Sequence, residues 1–163
     1  KVSFFNVTSD KCYSNNDNSE FFCEDSALGG IDPYSASKAC AEIVGKSFAH
    51  VLEKDEILNL YVSGRAGNVF GGGDFGDRRL IPDIVESLRS GVAIKVRAPN
   101  SIRPWQFVLS PLDGYLGAVE KHFMDQSLPR IDSYNFGPVT QIRLTVAELI
   151  DVIAQLTDVK VNY

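Results

Sequence analysis

The chain has no paired cysteine pattern, no run of basic residues and no long apolar stretch, and each absence removes a class of function. Its three cysteines, Cys12, Cys23 and Cys40, are odd in number and lack a C-x-x-C spacing. Neither a disulfide framework nor a zinc site is indicated, and no metal is expected. No Lys/Arg run occurs, and a net charge of −5 over 163 residues gives no nucleic-acid footprint. No apolar run approaches the roughly 18 residues of a membrane span, so no membrane partner is expected. The opening stretch Lys1-Val2-Ser3-Phe4-Phe5-Asn6-Val7 is too short for a signal peptide and runs straight into polar residues. No initiator methionine precedes it, and it reads as a strand from the start. We therefore expect a piece of a longer, reduced, cytoplasmic protein.

What is present is ordinary for a folded soluble domain: 44% hydrophobic and 23% charged residues, enough to bury a core. Val2 to Val7, rich in Phe and Val, predicts a buried strand. It ends in Thr8-Ser9-Asp10-Lys11-Cys12-Tyr13, polar residues where a strand hands over to a loop. In open parallel sheets, ligand groups gather at the carboxyl ends of strands; a solvated loop is the competing reading. Residues 14–31, full of Asn, Asp, Ser and Gly, predict a long surface loop.

Asp32-Pro33-Tyr34-Ser35-Ala36-Ser37-Lys38 is the stretch around which the chain is organised. Asp32 is a good helix N-cap, and Pro33 suits the first helical position because its missing N–H costs nothing there. Tyr34 and Lys38 then fall one turn apart on one face. An ammonium beside a phenol favours the phenolate, which could act as a base; an ordinary first turn is the alternative. The helix is predicted to run to about Glu53. Cys40, Ile43, Val44, Phe48, Val51 and Leu52 recur at three- and four-residue spacing and predict one buried stripe. Residues 57–63 predict an internal strand, giving a parallel strand–helix–strand unit.

Arg65-Ala66-Gly67-Asn68 with Gly71-Gly72-Gly73-Asp74 leaves that strand. Small residues admit a ligand close to the backbone, and Arg65 or Asn68 could point into the same cleft as Ser9 and Asp10; a flexible glycine loop competes. No G-x-G-x-x-G opens a helix after the strand, so this is not a dinucleotide fingerprint. Residues 80–88 predict a short helix closed by Gly91, and 92–96 an alternating strand. Arg103, beside Pro104 and Trp105, is either a bidentate phosphate clamp or a surface arginine packed on the indole. Ser110-Pro111-Leu112-Asp113 predicts a helix cap and 133–138 a strand with a turn. Thr145 and Glu148 form a capping box, and 159–163 predicts a further strand.

Ser9-Asp10, then Tyr34-x-x-x-Lys38, then Arg65-x-x-Asn68-Val69-Phe70-Gly71 form an ordered set. This set resembles the extended short-chain dehydrogenase/reductase family, in its nucleotide-sugar epimerase and 4,6-dehydratase branch. The resemblance runs over nearly the whole chain and implies an α/β fold. Residues 1–68 would be the C-terminal portion of a Rossmann parallel-sheet domain, and 69–163 mainly a small nucleotide-sugar-binding region, with some segments free to return to the sheet. The glycine-rich N-terminal half that binds the NAD pyrophosphate is absent.

The resemblance also implies roles. Tyr34 takes the sugar C4-hydroxyl proton, with Ser9 bonded to the same hydroxyl. Lys38, with Tyr34, Ala66 and Gly67, contacts the NAD cofactor. Asp10 is the acid and Lys11 the base that eliminate water across C5 and C6; many relatives carry Glu at the position of Lys11. Asn68, Arg103 and Asn135 hold the nucleotide sugar, Arg103 at the phosphates. The implied activity is 4,6-dehydration of a CDP-linked glucose, with a 4-epimerase or a non-catalytic binding fragment as alternatives. The intact enzyme is expected to be a homodimer or tetramer, and this chain alone inactive.

Overall fold

Val2–Val7 form strand β1, and Leu58–Ala66 form strand β2 parallel to it. The structure, a computed structural model, describes residues 1–15, 21–76, 78–93, 95–138 and 144–157. Between the two strands runs helix α1, Pro33–Lys54. The two-residue strand β3 (Val69–Phe70), helix α2 (Leu80–Ser90) and the two-residue strand β4 (Gln106–Phe107) come next. Helix α3 (Leu109–Met124), strand β5 (Ile131–Phe136) and helix α4 (Val146–Thr157) complete the order. The described chain divides into two units, Lys1–Gly67 with Leu109–Gly137, and Asn68–Val108 with Pro138–Tyr163.

In the first unit β1, β2 and β5 make a parallel sheet in that order. Alternation along the strands sends successive side chains to opposite faces. Tyr61 and Arg65 face α1, while Gly64 faces α3. Gly64 is bare because a Cβ there would stand 2.6 Å from Phe5, whose ring packs against Tyr115 of α3 with centroids 4.9 Å apart. Parallel strands bring their carboxyl ends to one edge. Thr8, Arg65 and Asn135 stand there.

In the second unit Ile84 of α2 and Val146 and Ile150 of α4 form the core, with Val96 and Trp105 packed against them. Gly91, at φ 71°, ends α2 in the left-handed region, its N–H reaching the Ser87 carbonyl at 2.8 Å. Thr145 and Glu148 form the capping box read from the sequence. Thr145 Oγ1 accepts from the Glu148 N–H at 3.1 Å, and Glu148 Oε2 accepts from the Thr145 N–H at 2.8 Å.

Four expectations are corrected. β1 is not buried: Val2, Phe4 and Val7 are 49%, 59% and 58% exposed, and among the described residues β2 is the one strand paired with it. The apolar stripe of α1 is not its buried face. Ser35, Ala39, Glu42 and Ala49 are buried, whereas Ile43, Val44, Phe48 and Val51 are more than half exposed and Cys40 is exposed too. Small side chains let the helix approach the sheet, and the larger ones fall on other faces; Leu52 alone of that set packs inward, against Ala49, Leu58 and Tyr61. The described residues of 92–96 form no strand, since the segment finds no ladder partner. Helix α3 begins at Leu109, so Ser110 lies inside it rather than capping it. The strand expected over 159–163 lies outside the described residues.

Candidate active site

The turn after β1 is built by its own hydroxyl. Ser9 caps a single 3-10 turn, Asp10–Cys12, by accepting from the Lys11 N–H at 3.2 Å, and its hydroxyl donates to Asp10 Oδ1 at 3.0 Å. Asp10 and Lys11 are half-buried and neighbours on this turn. Asp32 starts α1 as the sequence predicts. Its Oδ1 accepts from the Tyr34 and Ser35 N–H groups, both at 3.0 Å, and its Oδ2 from the Ser35 hydroxyl. The Ser35 hydrogen bonds hold the Asp32 carboxyl below its ordinary value, with a smaller contribution from the Lys11 ammonium.

Tyr34 is 55% exposed, and Lys38 Nζ lies 5.6 Å from its ring centroid. The structure thus brings Tyr34 and Lys38 together, and separately Ser9, Asp10 and Lys11. Ala66 is the buried last residue of β2, with Gly67 beyond it. Asn68 and Arg103 belong to the second unit. Asn68 accepts the Gln106 N–H on its carbonyl at 3.0 Å, and Arg103 is half-buried, its carbonyl bonded to the Trp105 N–H at 3.0 Å. Among the described residues the Arg103 guanidinium makes no ion pair. Asn135 is more engaged than the sequence shows. Its Oδ1 accepts from the Tyr13 hydroxyl and its Nδ2 donates to the Phe22 carbonyl at 3.2 Å.

Arg65 corrects one reading. The sequence offers it to the cleft; the structure buries it to 5% exposure against Glu42, at 3%. Its Nε and Nη2 reach the two Glu42 oxygens at 3.0 Å each, and its Nη1 reaches the Tyr13 hydroxyl at 2.8 Å and the Glu24 carbonyl at 2.9 Å. Burial alone would raise the Glu42 carboxyl, but the hydrogen bonds from Arg65 and Thr8 outweigh it and hold the group ionised. Burial likewise opposes the Arg65 charge, and Glu42 and Tyr13 more than offset it. Sequence reasoning passed over Glu42. The available signal was a lone carboxylate two turns on from Tyr34, among small residues.

A family model described as the NAD dependent epimerase/dehydratase family matches residues 1–134. The chain belongs to this family. It is 41% identical over 150 residues to a CDP-glucose 4,6-dehydratase of Salmonella typhimurium, covering 90% of this chain and 42% of that protein. Among solved structures of the fold, it matches a dTDP-glucose 4,6-dehydratase from Bacillus anthracis in complex with NAD. The TM-score is 0.73 at 20% identity, over 97% of this chain and 47% of that one. A UDP-glucuronic acid 4-epimerase from Bacillus cereus, in complex with UDP-glucuronic acid and NAD, matches with TM-score 0.73 at 15% identity, over 98% of this chain and 47% of that one. The chain thus spans less than half the length of these relatives. Its parallel α/β architecture is that of the family. Among the described residues no group of three or more His, Cys, Asp or Glu could hold a metal, and no helix is long and apolar enough to cross a membrane.

Proposed function

We propose that the intact protein containing this chain is a cytoplasmic, NAD-dependent nucleotide-sugar 4,6-dehydratase acting on a CDP-linked glucose. The first unit carries its chemistry and the second grips the nucleotide sugar. The observation that carries the reading is Ser9, Asp10 and Lys11 gathered on one turn at the carboxyl end of β1, in the same unit as the Tyr34–Lys38 pair. The identity to a CDP-glucose 4,6-dehydratase supports the choice of nucleotide and sugar.

The residues fit the nicotinamide end of NAD. A phenol and an ammonium stand side by side on an open helix face, and β2 ends in Ala66-Gly67, small enough for a ligand to approach the backbone. Tyr34, Lys38, Ala66 and Gly67 would hold that end. Bound NAD supplies the acceptor for the C4 hydride and its return to C6. Tyr34 takes the proton of the C4 hydroxyl, and Ser9 hydrogen-bonds that hydroxyl. The resulting C4 ketone acidifies the C5 proton, which Lys11 removes. Asp10 gives its proton to the departing C6 hydroxyl, so water leaves across C5 and C6. Arg103 presents its fork to the diphosphate, and Asn68 and Asn135 bond the sugar or nucleotide. The outward apolar face of α1, Cys40, Val44, Phe48 and Val51, supports a homodimer formed by a second copy of this helix.

The matching 4-epimerase structure keeps one other reading in view, since epimerases share this fold. Substrate deuterated at C4 separates them in the intact enzyme. A dehydratase delivers the deuterium to C6 of a 6-deoxy product, and an epimerase returns it to C4. Recovery of label at C4 alone would overturn the dehydratase reading.

A further inference from the structure

The dehydration chemistry makes no use of the most enclosed charges in the first unit. Glu42 and Arg65 are almost wholly buried, and their partners bracket the catalytic turn. Thr8, the residue before Ser9, donates its hydroxyl to Glu42 Oε1. Tyr13, the residue after the turn Asp10–Cys12, takes a hydrogen bond from Arg65 Nη1 and passes its own to Asn135 Oδ1 on β5. The guanidinium lies 5.1 Å from the Tyr13 ring centroid, and that ring stacks on Phe22 at 5.0 Å. One bidentate ion pair therefore grips the turn at both ends. The same Glu42 stands one turn beyond Lys38 on α1.

A buried ion pair is a poor device for stability alone. Desolvating two charges costs several kcal/mol each, and well-packed apolar residues often serve as well or better. What a planar guanidinium with fixed donors supplies is direction. Here its donors set the angle between α1, the end of β2, the loop at Glu24 and, through Tyr13, the end of β5. We infer that Glu42 and Arg65 are positioning residues, a clamp that holds the Ser9–Lys11 turn in register with Tyr34 and Lys38 through Thr8 and Tyr13. The consequence for chemistry rests on the dehydratase reading, but the clamp has a readout of its own. Cys12 lies inside the clamped turn at 0% exposure.

The test uses Thr8→Val, which cuts the tie to Glu42, and Tyr13→Phe, which cuts those to Arg65 and Asn135; both leave the ion pair in place, and Thr8→Ser is the conservative rescue. In the intact enzyme each cut is expected to slow formation of the 6-deoxy product about 10- to 100-fold, a loss in the range that small misplacement of reacting groups produces. In Thr8→Val substrate KM should stay within about threefold, and in both variants the 4-keto hexose should accumulate, because both groups of the elimination step, Asp10 and Lys11, sit on the displaced turn, whereas C4 oxidation draws from it only the Ser9 hydrogen bond. Native-state alkylation of Cys12 by iodoacetamide should rise at least about tenfold in both, at unchanged circular dichroism, since buried thiols react only on local opening. Thr8→Ser should restore both readings. Wild-type turnover together with wild-type Cys12 protection would overturn the clamp. So would a loss of rate that merely tracks the unfolded fraction. If the wild-type enzyme forms no 6-deoxy product, the dehydratase reading fails by itself, and Cys12 alkylation alone decides the clamp.

Discussion

Lys38 holds its ammonium 5.6 Å from the centroid of the Tyr34 ring, one turn along α1 from a phenol that is more than half exposed. Asp32 caps the helix just before the pair, accepting the Tyr34 backbone N–H at 3.0 Å. Tyr34→Phe in the intact enzyme is expected to slow oxidation at C4 by about 10²- to 10⁴-fold, the range for loss of one positioned base. Single-turnover absorbance of reduced nicotinamide measures it. A near-wild-type rate would remove Tyr34 from the mechanism.

Asp10 and Lys11 are expected to govern the second half of the reaction. Asp10→Asn with Lys11→Ala keeps an oxygen at position 10 able to accept the Ser9 hydroxyl, so the turn survives. Oxidation at C4 should proceed, while elimination slows by about 10²-fold or more. The 4-keto hexose then accumulates without 6-deoxy product, which mass spectrometry of quenched reactions resolves. Normal turnover would reduce the pair to a solvated turn.

Asp32 gives a pH signature. Its carboxyl lies below the ordinary 3.8 in the folded chain, chiefly through the Ser35 hydroxyl and N–H. The unfolded chain therefore binds more protons in the window just below that value. The cap's contribution is full above the unfolded pKa and is lost as pH falls through the folded one. Melting curves should show wild type above Asp32→Ala at neutral pH, with the two converging as the pH falls below 3.8 and through the lowered folded value. Parallel curves at every pH would show that the carboxylate charge is not what starts the helix.

Phe48 is 65% exposed at the centre of the outward face of α1. Phe48→Asp should dissociate the proposed dimer, weakening association by at least about 30-fold if this ring is a central anchor. Sedimentation equilibrium measures it. A mutant that stays dimeric at wild-type affinity would put the interface elsewhere.

Much of the local architecture was legible because it depends on neighbours in sequence. Asp32 and Pro33 start a helix whatever lies beyond them, and Thr145 with Glu148 does the same, since capping groups reach only two or three residues along the chain. Tyr34 and Lys38 meet because four residues make one turn. The order of β1, α1 and β2 followed from apolar patterning and polar breaks.

Contacts across the chain had no such signature. Two faces of α1 satisfy the three-to-four spacing, and patterning chose the larger side chains. The sheet took the smaller ones, Ser35, Ala39 and Ala49, because close approach to the strands requires them. Residues 92–96 alternate as a strand should, yet a strand exists only when another offers it hydrogen bonds. Arg65 shows the division most sharply. As a letter after an apolar strand it suits a ligand; a carboxylate 23 residues earlier, brought over it by the strand–helix crossover, turned it inward instead. Sequence set where the locally capped helices α1 and α4 begin. Tertiary packing decided which face is buried and which charge is spent inside, because both depend on partners that only the folded chain brings within reach.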